Sequence, residues 1–333
     1  MGKNKEKIYQ LVNDELINVL VEMSQIAENH KDESNLNENI IEHVLGSPGK
    51  QLRPTITIAV SKLWNKETDE KTMMMATAVE LLHIATLVHD DTIDFADTRR
   101  GRSTASKVWG PHIAILVGDY LFATSAEYVC KTESIKIIKQ FASTIADLAK
   151  GQLMEIENSW NPYLSIENYL NIIHKKTASL FSTCTMSGAI LGQANEQDVQ
   201  KLYEFGKNLG LGFQIFDDIL DFEGEKNTLG KPIGSDLKNG ILTLPSILAR
   251  EKNKNIEEEI TTFFNNKSTD KSERLDKLLE IVSSSGSIEE SKKIGEDYIN
   301  KALENLSSIN NLEKNIYLEA LEELSISSKN RTK

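Results

Sequence analysis

Two runs of aspartate, far apart in the chain, are the residues best suited to chemistry. The first is Asp90-Asp91-Thr92-Ile93-Asp94 and the second is Asp217-Asp218-Ile219-Leu220-Asp221. In each run the first and last aspartates are four residues apart, so on an α-helix they share one face and can hold the same cation. Carboxylates about 4 Å apart repel by roughly 4 kcal/mol at an effective dielectric of about 20 unless a cation lies between them. This spacing indicates a metal clamp.

The flanks of both runs argue against two ordinary solvated acidic faces. Most acidic runs in proteins are solvated, but apolar residues precede both runs here, at positions 84–88 and 212–216. Because unpaired charges are rarely buried, we expect the carboxylates to lie at the mouth of a buried cavity. All-aspartate clusters favour a hard cation, and Mg²⁺ binds through one or two carboxylates together with phosphates and waters.

A second metal motif is the segment Glu80-Leu81-Leu82-His83, which spells the Glu-x-x-His of di-iron bundles. Such bundles need another Glu-x-x-His on a different helix and two further glutamates. The sequence contains no second copy, so a di-iron site is not predicted.

Basic residues near the acidic runs indicate a phosphorylated ligand. Lys50 and Arg53 lie three residues apart in a loop rich in Gly and Pro, Arg99 and Arg100 follow the first acidic run, and Lys231 lies in a second glycine loop. Arginine can donate two hydrogen bonds to the oxygens of one phosphate, and lysine adds a compact positive charge. Nothing resembles a Walker loop, so nucleotide hydrolysis is not indicated. A magnesium-bound diphosphate is the better interpretation.

The composition narrows the class of protein. The 333 residues include 38 Lys and Arg against 50 Asp and Glu, a net charge of −12 that argues against nucleic acid as a partner. The two cysteines, Cys130 and Cys184, have no metal-ligand spacing and are predicted to be reduced thiols of a cytoplasmic protein. The N-terminus lacks the apolar core of a signal peptide, and no run reaches the roughly 18 apolar residues of a membrane span.

Most of the chain has the periodicity of amphipathic helices, and these helices must position the acidic and basic residues named above. We predict an all-α protein with no strands, since no segment alternates with period two. The predicted helices cover Ile8 to about Ala27 and residues 40–45, 54–63, 72–94, 111–131, 135–159, 166–192 and 196–222. Shorter helices follow over residues 251–325, with an exposed turn at 265–272, and residues 326–333 are predicted to be disordered. No composition shift marks a domain boundary, so a single domain is predicted.

Six motifs occur in an order and spacing that resemble the trans-isoprenyl diphosphate (polyprenyl) synthases. They are Gly49-Lys50-Gln51-Leu52-Arg53-Pro54, His83, both acidic runs with Arg99-Arg100-Gly101, Lys176-Thr177, Gly212-Phe213-Gln214-Ile215-Phe216, and Gly230-Lys231. The resemblance is dense over residues 40–250. It implies one helical bundle around a deep central cavity. It also implies Mg²⁺-dependent head-to-tail condensation of isopentenyl diphosphate with an allylic diphosphate such as farnesyl or geranylgeranyl diphosphate.

The resemblance also implies a role for each matching residue. Asp90, Asp94 and Asp217 would ligate Mg²⁺, and Asp91, Asp218 and Asp221 would lie in or next to that catalytic cluster. Isopentenyl diphosphate would bind a pocket made of cations, from Lys50, Arg53, His83 and Arg100. The allylic diphosphate and the transient cation would meet Arg99, Lys176, Thr177, Gln214 and Lys231. This sequence departs from the family pattern at Ile241, the residue after Gly240. Many relatives carry at this position a lysine that contacts diphosphate.

Two small residues lie one turn before the first acidic run, where short-chain relatives place an aromatic ring. Ala85 and Thr86 are five and four residues before Asp90. We expect them to leave room for a growing tail and therefore predict a product of roughly C30 to C45, the size of a quinone side chain, since pocket size limits the ligand.

Three other functions share part of this pattern. A class I terpene cyclase shares the first acidic run but has no use for a second diphosphate pocket. A geranylgeranyl-type synthase would make a shorter product. A catalytic subunit of a two-component heptaprenyl synthase would need a partner chain, whereas a self-sufficient synthase is expected to be a homodimer.

Overall fold

The computed structural model describes residues 3–28, 35–46, 49–65, 67–223, 233–265, 271–309 and 315–329. Its described residues are helical except for short connections and one small hairpin. The prediction of an all-α protein is therefore confirmed. The chain forms two compact units, the first made of residues 1–143, 183–203 and 309–323, and the second of residues 144–182, 204–308 and 324–333.

The first unit carries the first acidic run on its longest helix. Its own elements are α1 (Lys3–Leu11), α2 (Asn13–Glu28), α3 (Asn35–Leu45), α4 (Leu52–Ser61), α5 (Glu70–Ile93), β1 (Thr98–Arg99), β2 (Arg102–Ser103), α6 (Ala105–Trp109) and α7 (Pro111–Cys130). Asp69 begins α5 by accepting a hydrogen bond from the Thr72 amide at 2.8 Å, which satisfies one of the unpaired amides of the first turn.

Helix α7 packs very closely on α5. A Cβ atom added to Gly118 of α7 would lie 2.1 Å from Nε2 of His89 on α5, so the His89 side chain would have to move. His89 Nε2 also lies 3.0 Å from the Ile115 carbonyl oxygen. The glycine therefore lets α7 brace the part of α5 that leads into the first acidic run.

The second unit carries the second acidic run. Its own elements are α9 (Ile166–Ile173), a π-helical segment (His174–Ala178), α12 (Ser235–Lys238), α13 (Leu244–Lys252), α14 (Lys254–Asn265), α15 (Lys271–Ser284) and α16 (Ser287–Ser307). Four helices contribute residues to both units: α8 (Ile135–Asn158), α10 (Ser179–Leu191), α11 (Glu196–Glu223) and α17 (Ile316–Lys329).

Several boundaries differ from the sequence predictions. The helix predicted from Ile8 to about Ala27 is two helices that meet at Val12, and the third helix begins at Asn35 instead of Ile40. The prediction of no strands is wrong for β1 and β2, which are two residues each and therefore too short to show alternation. The prediction of disorder after residue 325 is wrong for residues 326–329, since α17 continues to Lys329 and buries Ser328.

Among the described residues, two helices are long and apolar enough to cross a membrane, against the prediction of no such run. In α5, 72% of the apolar window is buried inside the protein, which is typical of a core helix of a soluble protein. In α7 the buried share is only 39%. Much of the apolar surface of α7 is therefore left exposed.

Candidate active site

The first acidic run lies at the carboxyl end of α5, which places its aspartates in different surroundings. Asp91 is buried, with 7% of its surface exposed. Asp90 is half-buried and Asp94, the residue that follows α5, is exposed. Because Asp90 and Asp94 are four residues apart they share one side of the helix end, whereas Asp91 is turned away from it.

Asp91 forms a forked ion pair with Arg99. The Arg99 Nε donates to both Asp91 oxygens, at 2.8 and 2.7 Å, and a terminal guanidinium nitrogen lies 2.7 Å from Asp91 Oδ1. The hairpin sets this geometry, because Arg99 pairs with Arg102 across a turn in which Arg100 and Gly101 both have positive φ, 52° and 77°. The Asp91 carboxylate is thus used to hold Arg99.

The cations predicted for isopentenyl diphosphate lie in the same unit. Arg53 is half-buried on α4, and Lys50 and Arg100 are exposed. A Cβ atom on Gly49 would lie 2.4 Å from an Arg100 guanidinium nitrogen, so glycine lets this side chain reach the loop before α4. Burial lowers the pKa of Arg53, and the positive charge of Arg100 lowers it further. The structure thus brings two guanidinium groups near each other, an arrangement that an anion would stabilise.

Arg53 and Arg100 interact electrostatically with an acidic residue, Glu80, which the sequence analysis assigned to no site. Glu80 is buried, with 2% of its surface exposed, and its Oε2 has no hydrogen-bond partner. Burial raises the pKa of Glu80, while the charges of Arg53 and Arg100 lower it. An acidic residue in an apolar helix, one turn before His83, was the available signal.

His83 differs from the prediction of a fully cationic pocket. Burial, and then the charges of Arg53, Arg100 and Arg99, hold the pKa of His83 well below its usual value. The imidazole is therefore neutral at pH 7. A neutral imidazole can still exchange a hydrogen bond with a diphosphate, but it adds no positive charge.

The second acidic run leaves only its first aspartate exposed. Asp217 is exposed on α11, whereas Asp218 and Asp221 are buried, with 6% and 9% of their surface exposed. Asp221 Oδ1 accepts from the Ser235 amide at 3.1 Å and the Ser235 hydroxyl at 2.9 Å, and Oδ2 accepts from the Asp236 amide at 3.0 Å. The Asp221 carboxylate therefore fastens the start of α12 to α11.

Asp218 belongs to a chain of hydrogen bonds that also contains two of the predicted site residues. Thr177 Oγ1 donates to Gln214 Oε1 at 2.8 Å, and Gln214 Nε2 donates to Asp218 Oδ1 at 2.8 Å. The Tyr169 hydroxyl donates to Asp218 Oδ2 at 2.6 Å. Burial raises the pKa of Asp218 to about 7, although the bonds from Tyr169 and Gln214 lower it. The sequence reading did not identify Tyr169.

Lys176 lies in the π-helical segment beside a close helix contact. Its ammonium forms an ion pair with Glu155 of α8, and the neighbouring Lys175 pairs with Asp147 at 2.8 Å. A Cβ atom on Gly151 would lie 2.7 Å from the Lys176 backbone nitrogen. π-Segments are frequent at functional sites because they change the direction of side chains along a helix. Here the segment directs Lys176 to a carboxylate of α8.

Two further predictions concern the glycine loop and product length. Lys231 lies outside the described residues. On α5, Ala85 is fully buried, whereas Thr86 keeps some exposed surface, as do His83, Leu87 and Asp90. The spacing of these four partly exposed residues defines one face of α5. Thr86 lies on this face and Ala85 does not.

Exposure separates the six aspartates into two groups of three. Asp90, Asp94 and Asp217 can reach a ligand, whereas Asp91, Asp218 and Asp221 are buried. In the described part of the chain, no three His, Cys, Asp or Glu side chains form a metal site by themselves. Mg²⁺ takes one or two carboxylates and completes its shell with phosphates and waters. The accessible oxygen donors suit such a hard cation.

Comparisons with known proteins identify the family. Residues 34–282 match the model of the polyprenyl synthetase family. Solanesyl diphosphate synthase 1, chloroplastic, of Arabidopsis thaliana is 34% identical over 273 residues, which cover 80% of this chain and 66% of the relative. The match thus spans about two thirds of the length of that relative.

Solved structures agree with the sequence match. The heptaprenyl diphosphate synthase of Staphylococcus aureus has a TM-score of 0.89 at 34% identity, covering 97% of this chain and 99% of that chain. A polyprenyl synthase of Caulobacter crescentus, solved with calcium and isoprenyl diphosphate, has a TM-score of 0.89 at 31% identity, covering 99% of this chain and 98% of that chain. This chain therefore belongs to the polyprenyl synthetase family and is a prenyltransferase, as its resemblance to the trans-isoprenyl diphosphate synthases predicts.

Proposed function

We propose that this protein is an all-trans polyprenyl diphosphate synthase that joins isopentenyl diphosphate head-to-tail to an allylic diphosphate. The observation that carries the proposal is that three aspartates are accessible, since Asp94 and Asp217 are exposed and Asp90 is half-buried. They are the three for which the family resemblance implies metal ligation. The other three aspartates of the same motifs are buried and bonded to protein groups.

Asp90, Asp94 and Asp217 would hold Mg²⁺ in this function. When bound, Mg²⁺ neutralises the negative charge that develops on a departing diphosphate. Asp91 contributes indirectly, since it fixes the Arg99 guanidinium that stands next to the first run. Lys176 and Lys231 are further proposed contacts of the allylic diphosphate.

Isopentenyl diphosphate would bind the cations of the first unit, Lys50, Arg53 and Arg100, with His83 as a neutral hydrogen-bond partner. The mutual repulsion of Arg53 and Arg100 favours an anion between them. This substrate keeps its diphosphate during the reaction. Fixed cations are therefore sufficient to orient its double bond toward the allylic carbon.

Thr177 and Gln214 would stabilise the allylic cation that remains when the diphosphate departs. The Thr177 hydrogen is donated to Gln214, so the hydroxyl oxygen presents its lone pairs to other groups. Oxygen lone pairs and amide dipoles aimed at developing positive charge lower the barrier in a site that excludes water.

The growing tail would run along the face of α5 that contains His83, Thr86, Leu87 and Asp90. Thr86 is the small residue on this face, which supports a medium-to-long product of roughly C30 to C45, since the room beside it limits the ligand. Thr86→Phe is expected to shorten the product, because the ring would block the tail. Product chromatography of Thr86→Phe and Thr86→Ser tests this, and unchanged length in Thr86→Phe would refute it.

A second copy of this chain is the proposed partner. Ile115 and Leu116 of α7 have 44% and 66% of their surface exposed, and most of the apolar window of this helix is not buried by the chain itself. A homodimer would cover this face. Light scattering of the wild type and of Leu116→Glu tests it: a dimer that becomes a monomer is expected, and a monomeric wild type would refute it.

The activity is tested by giving the purified protein Mg²⁺, farnesyl diphosphate and labelled isopentenyl diphosphate. Long linear prenols, after the diphosphate is hydrolysed, are the expected product. Absence of any extension would refute a self-sufficient synthase, and cyclic products would indicate a terpene cyclase. We also infer a cytoplasmic location, supported by two cysteines that both remain free thiols.

A further inference from the structure

Four polar side chains of the second unit form a continuous set of hydrogen bonds, here called the Thr177–Tyr169 relay: Thr177, Gln214, Asp218 and Tyr169. The three bonds measure 2.8, 2.8 and 2.6 Å between heavy atoms. All four residues lie within the same compact unit. Tyr169 and Asp218 are buried, with 3% and 6% of their surface exposed.

The direction of each bond follows from the carboxylate. Both Asp218 oxygens accept a hydrogen bond, one from Gln214 and one from Tyr169. Because the Gln214 NH₂ donates to Asp218, the amide oxygen of Gln214 is turned toward Thr177. Thr177 must then donate its hydrogen to Gln214, which leaves only lone pairs on its oxygen for any other group.

The helix geometry brings Tyr169 to the same place as Thr177. The two residues are eight positions apart, and in an uninterrupted α-helix they would point about 80° apart around the axis. The π-helical segment His174–Ala178 follows Tyr169 and contains Thr177. Its wider turn reduces the rotation per residue, which brings both side chains toward α11. The Tyr169 hydroxyl and the Thr177 hydroxyl thereby contact two residues of α11 that are one turn apart.

We propose that Tyr169 is a positioning residue for the prenyl transfer. It holds the Asp218 carboxylate, which orients the Gln214 amide, which in turn makes the Thr177 oxygen present its lone pairs to the allylic cation. Asp218 accordingly serves this relay and is not a metal ligand. The inference rests on the proposed function, because it assigns to the relay a role in the same reaction.

Tyr169→Phe tests the relay because it removes one hydroxyl and keeps the ring. The rate of the first condensation, measured in a single turnover so that product release does not limit it, should fall roughly ten- to a hundredfold, the value of one hydrogen bond to a charged group. The KM for both substrates and the Mg²⁺ concentration for half-maximal rate should stay within about twofold, since the phenol contacts neither.

A matched control is available in the first unit. The Tyr128 hydroxyl donates to Glu22 Oε2 at 3.0 Å, which is also a bond from a buried tyrosine to a carboxylate. Tyr128→Phe should leave the single-turnover rate unchanged. An equal loss of rate in both tyrosine variants would mean that the effect is general destabilisation, and it would overturn the proposal.

A double-mutant cycle distinguishes positioning from a purely structural role. Thr177→Val removes the last hydroxyl of the relay with little change in shape. If Tyr169 acts through Thr177, Tyr169→Phe lowers the single-turnover rate of the Thr177→Val variant by less than about a further twofold, because the two residues act as one unit. A double variant whose loss of rate equals the product of the two single losses would overturn the proposal. Thr177→Ser, which keeps the hydroxyl, should restore the sensitivity to Tyr169→Phe.

The outcomes separate this inference from the proposed function. A wild-type protein that forms no extension product would refute the function itself. If the wild-type protein forms the extension product and the single-turnover rate of Tyr169→Phe is within about twofold of the wild-type rate, only the relay is refuted. Should Tyr169→Phe fail to fold by circular dichroism, Gln214→Glu replaces it in the same cycle, because a second carboxylate beside Asp218 breaks the next bond of the relay, from Gln214 to Asp218, with no change in size.

Discussion

Replacing Asp90 and Asp91 separately by asparagine should affect different properties, the activity at Asp90 and the stability at Asp91. The two residues are adjacent and chemically identical, and both changes remove one charge without changing the shape. Asp90 is accessible at the end of α5, whereas Asp91 is buried against Arg99. We therefore expect Asp90→Asn to lose activity and keep stability, and Asp91→Asn to lose stability in addition to any change in rate.

The size of the Asp91 effect follows from its contacts. Asp91→Asn removes the charge from a forked pair with three contacts of 2.7 to 2.8 Å and places an amide donor against a guanidinium donor. Removing one member of a fully buried pair costs about 3–5 kcal/mol. Because 33% of the Arg99 side chain is exposed, solvent screens the charge that is left. We therefore expect Asp91→Asn to lower the free energy of unfolding by about 1.5–2.5 kcal/mol.

Asp90→Asn should behave differently because no buried pair is broken. An accessible position usually changes the free energy of unfolding by less than about 0.5 kcal/mol. The loss of a metal-ligating oxygen should instead lower the extension rate by about a hundredfold or more and raise the Mg²⁺ concentration needed for half-maximal rate.

The assay combines urea unfolding, followed by circular dichroism, with a Mg²⁺ titration of the extension rate for both variants. Asp94→Asn is the matched control, since it is also accessible and should group with Asp90→Asn. The reasoning would be refuted by an Asp91→Asn variant with wild-type stability. It would equally be refuted by an Asp90→Asn variant that keeps the wild-type Mg²⁺ response.

Three further predictions follow from contacts in the described residues. Burial raises the pKa of the Cys184 thiol to about 12, so at pH 8 only the exposed Cys130 should react with a disulfide reagent in the native protein, and both thiols should react in denaturant. Two reactive thiols in the native protein would contradict this prediction. Gly151→Ala should lower the free energy of unfolding by about 1–3 kcal/mol, because its Cβ would lie 2.7 Å from a backbone nitrogen; an unchanged urea midpoint would show that α8 moves without cost. Asp221→Ala should lower the free energy of unfolding by about 2–4 kcal/mol and Ser235→Ala by about 1 kcal/mol, since the first removes three hydrogen bonds and the second removes one. Equal losses of stability on thermal or urea unfolding would show that Asp221 does not fasten α12 to α11.

The long helices were predictable from the sequence because their packing agrees with their local pattern. The predicted segments 135–159, 166–192 and 196–222 agree to within about two residues with the helical runs that the structure contains. The hairpin that carries Arg99 was not predictable in this way. It depends on two consecutive residues with positive φ, Arg100 and Gly101, and strands of two residues leave no periodic signal.

The residues missed by the sequence reading are those whose partners come from another part of the chain. Tyr169 has the appearance of an ordinary apolar helix residue, and Glu80 that of half a di-iron motif. Their importance depends on Asp218, which is 49 positions from Tyr169, and on the guanidinium groups of Arg53 and Arg100. A buried polar group needs a partner, but the sequence alone does not show which partner the fold supplies.

The sequence by itself determined the family, the all-α class and the two acidic motifs, because each depends on residue types at fixed spacing along a helix. Only the tertiary structure decided what each aspartate does. The fifth position of the motif is exposed at Asp94 and buried at Asp221, although the two motifs share the same spacing. The physical reason is where the helices end: α5 stops at Ile93, so Asp94 meets solvent, whereas α11 continues to Glu223 and the backbone amides of Ser235 and Asp236 close over Asp221.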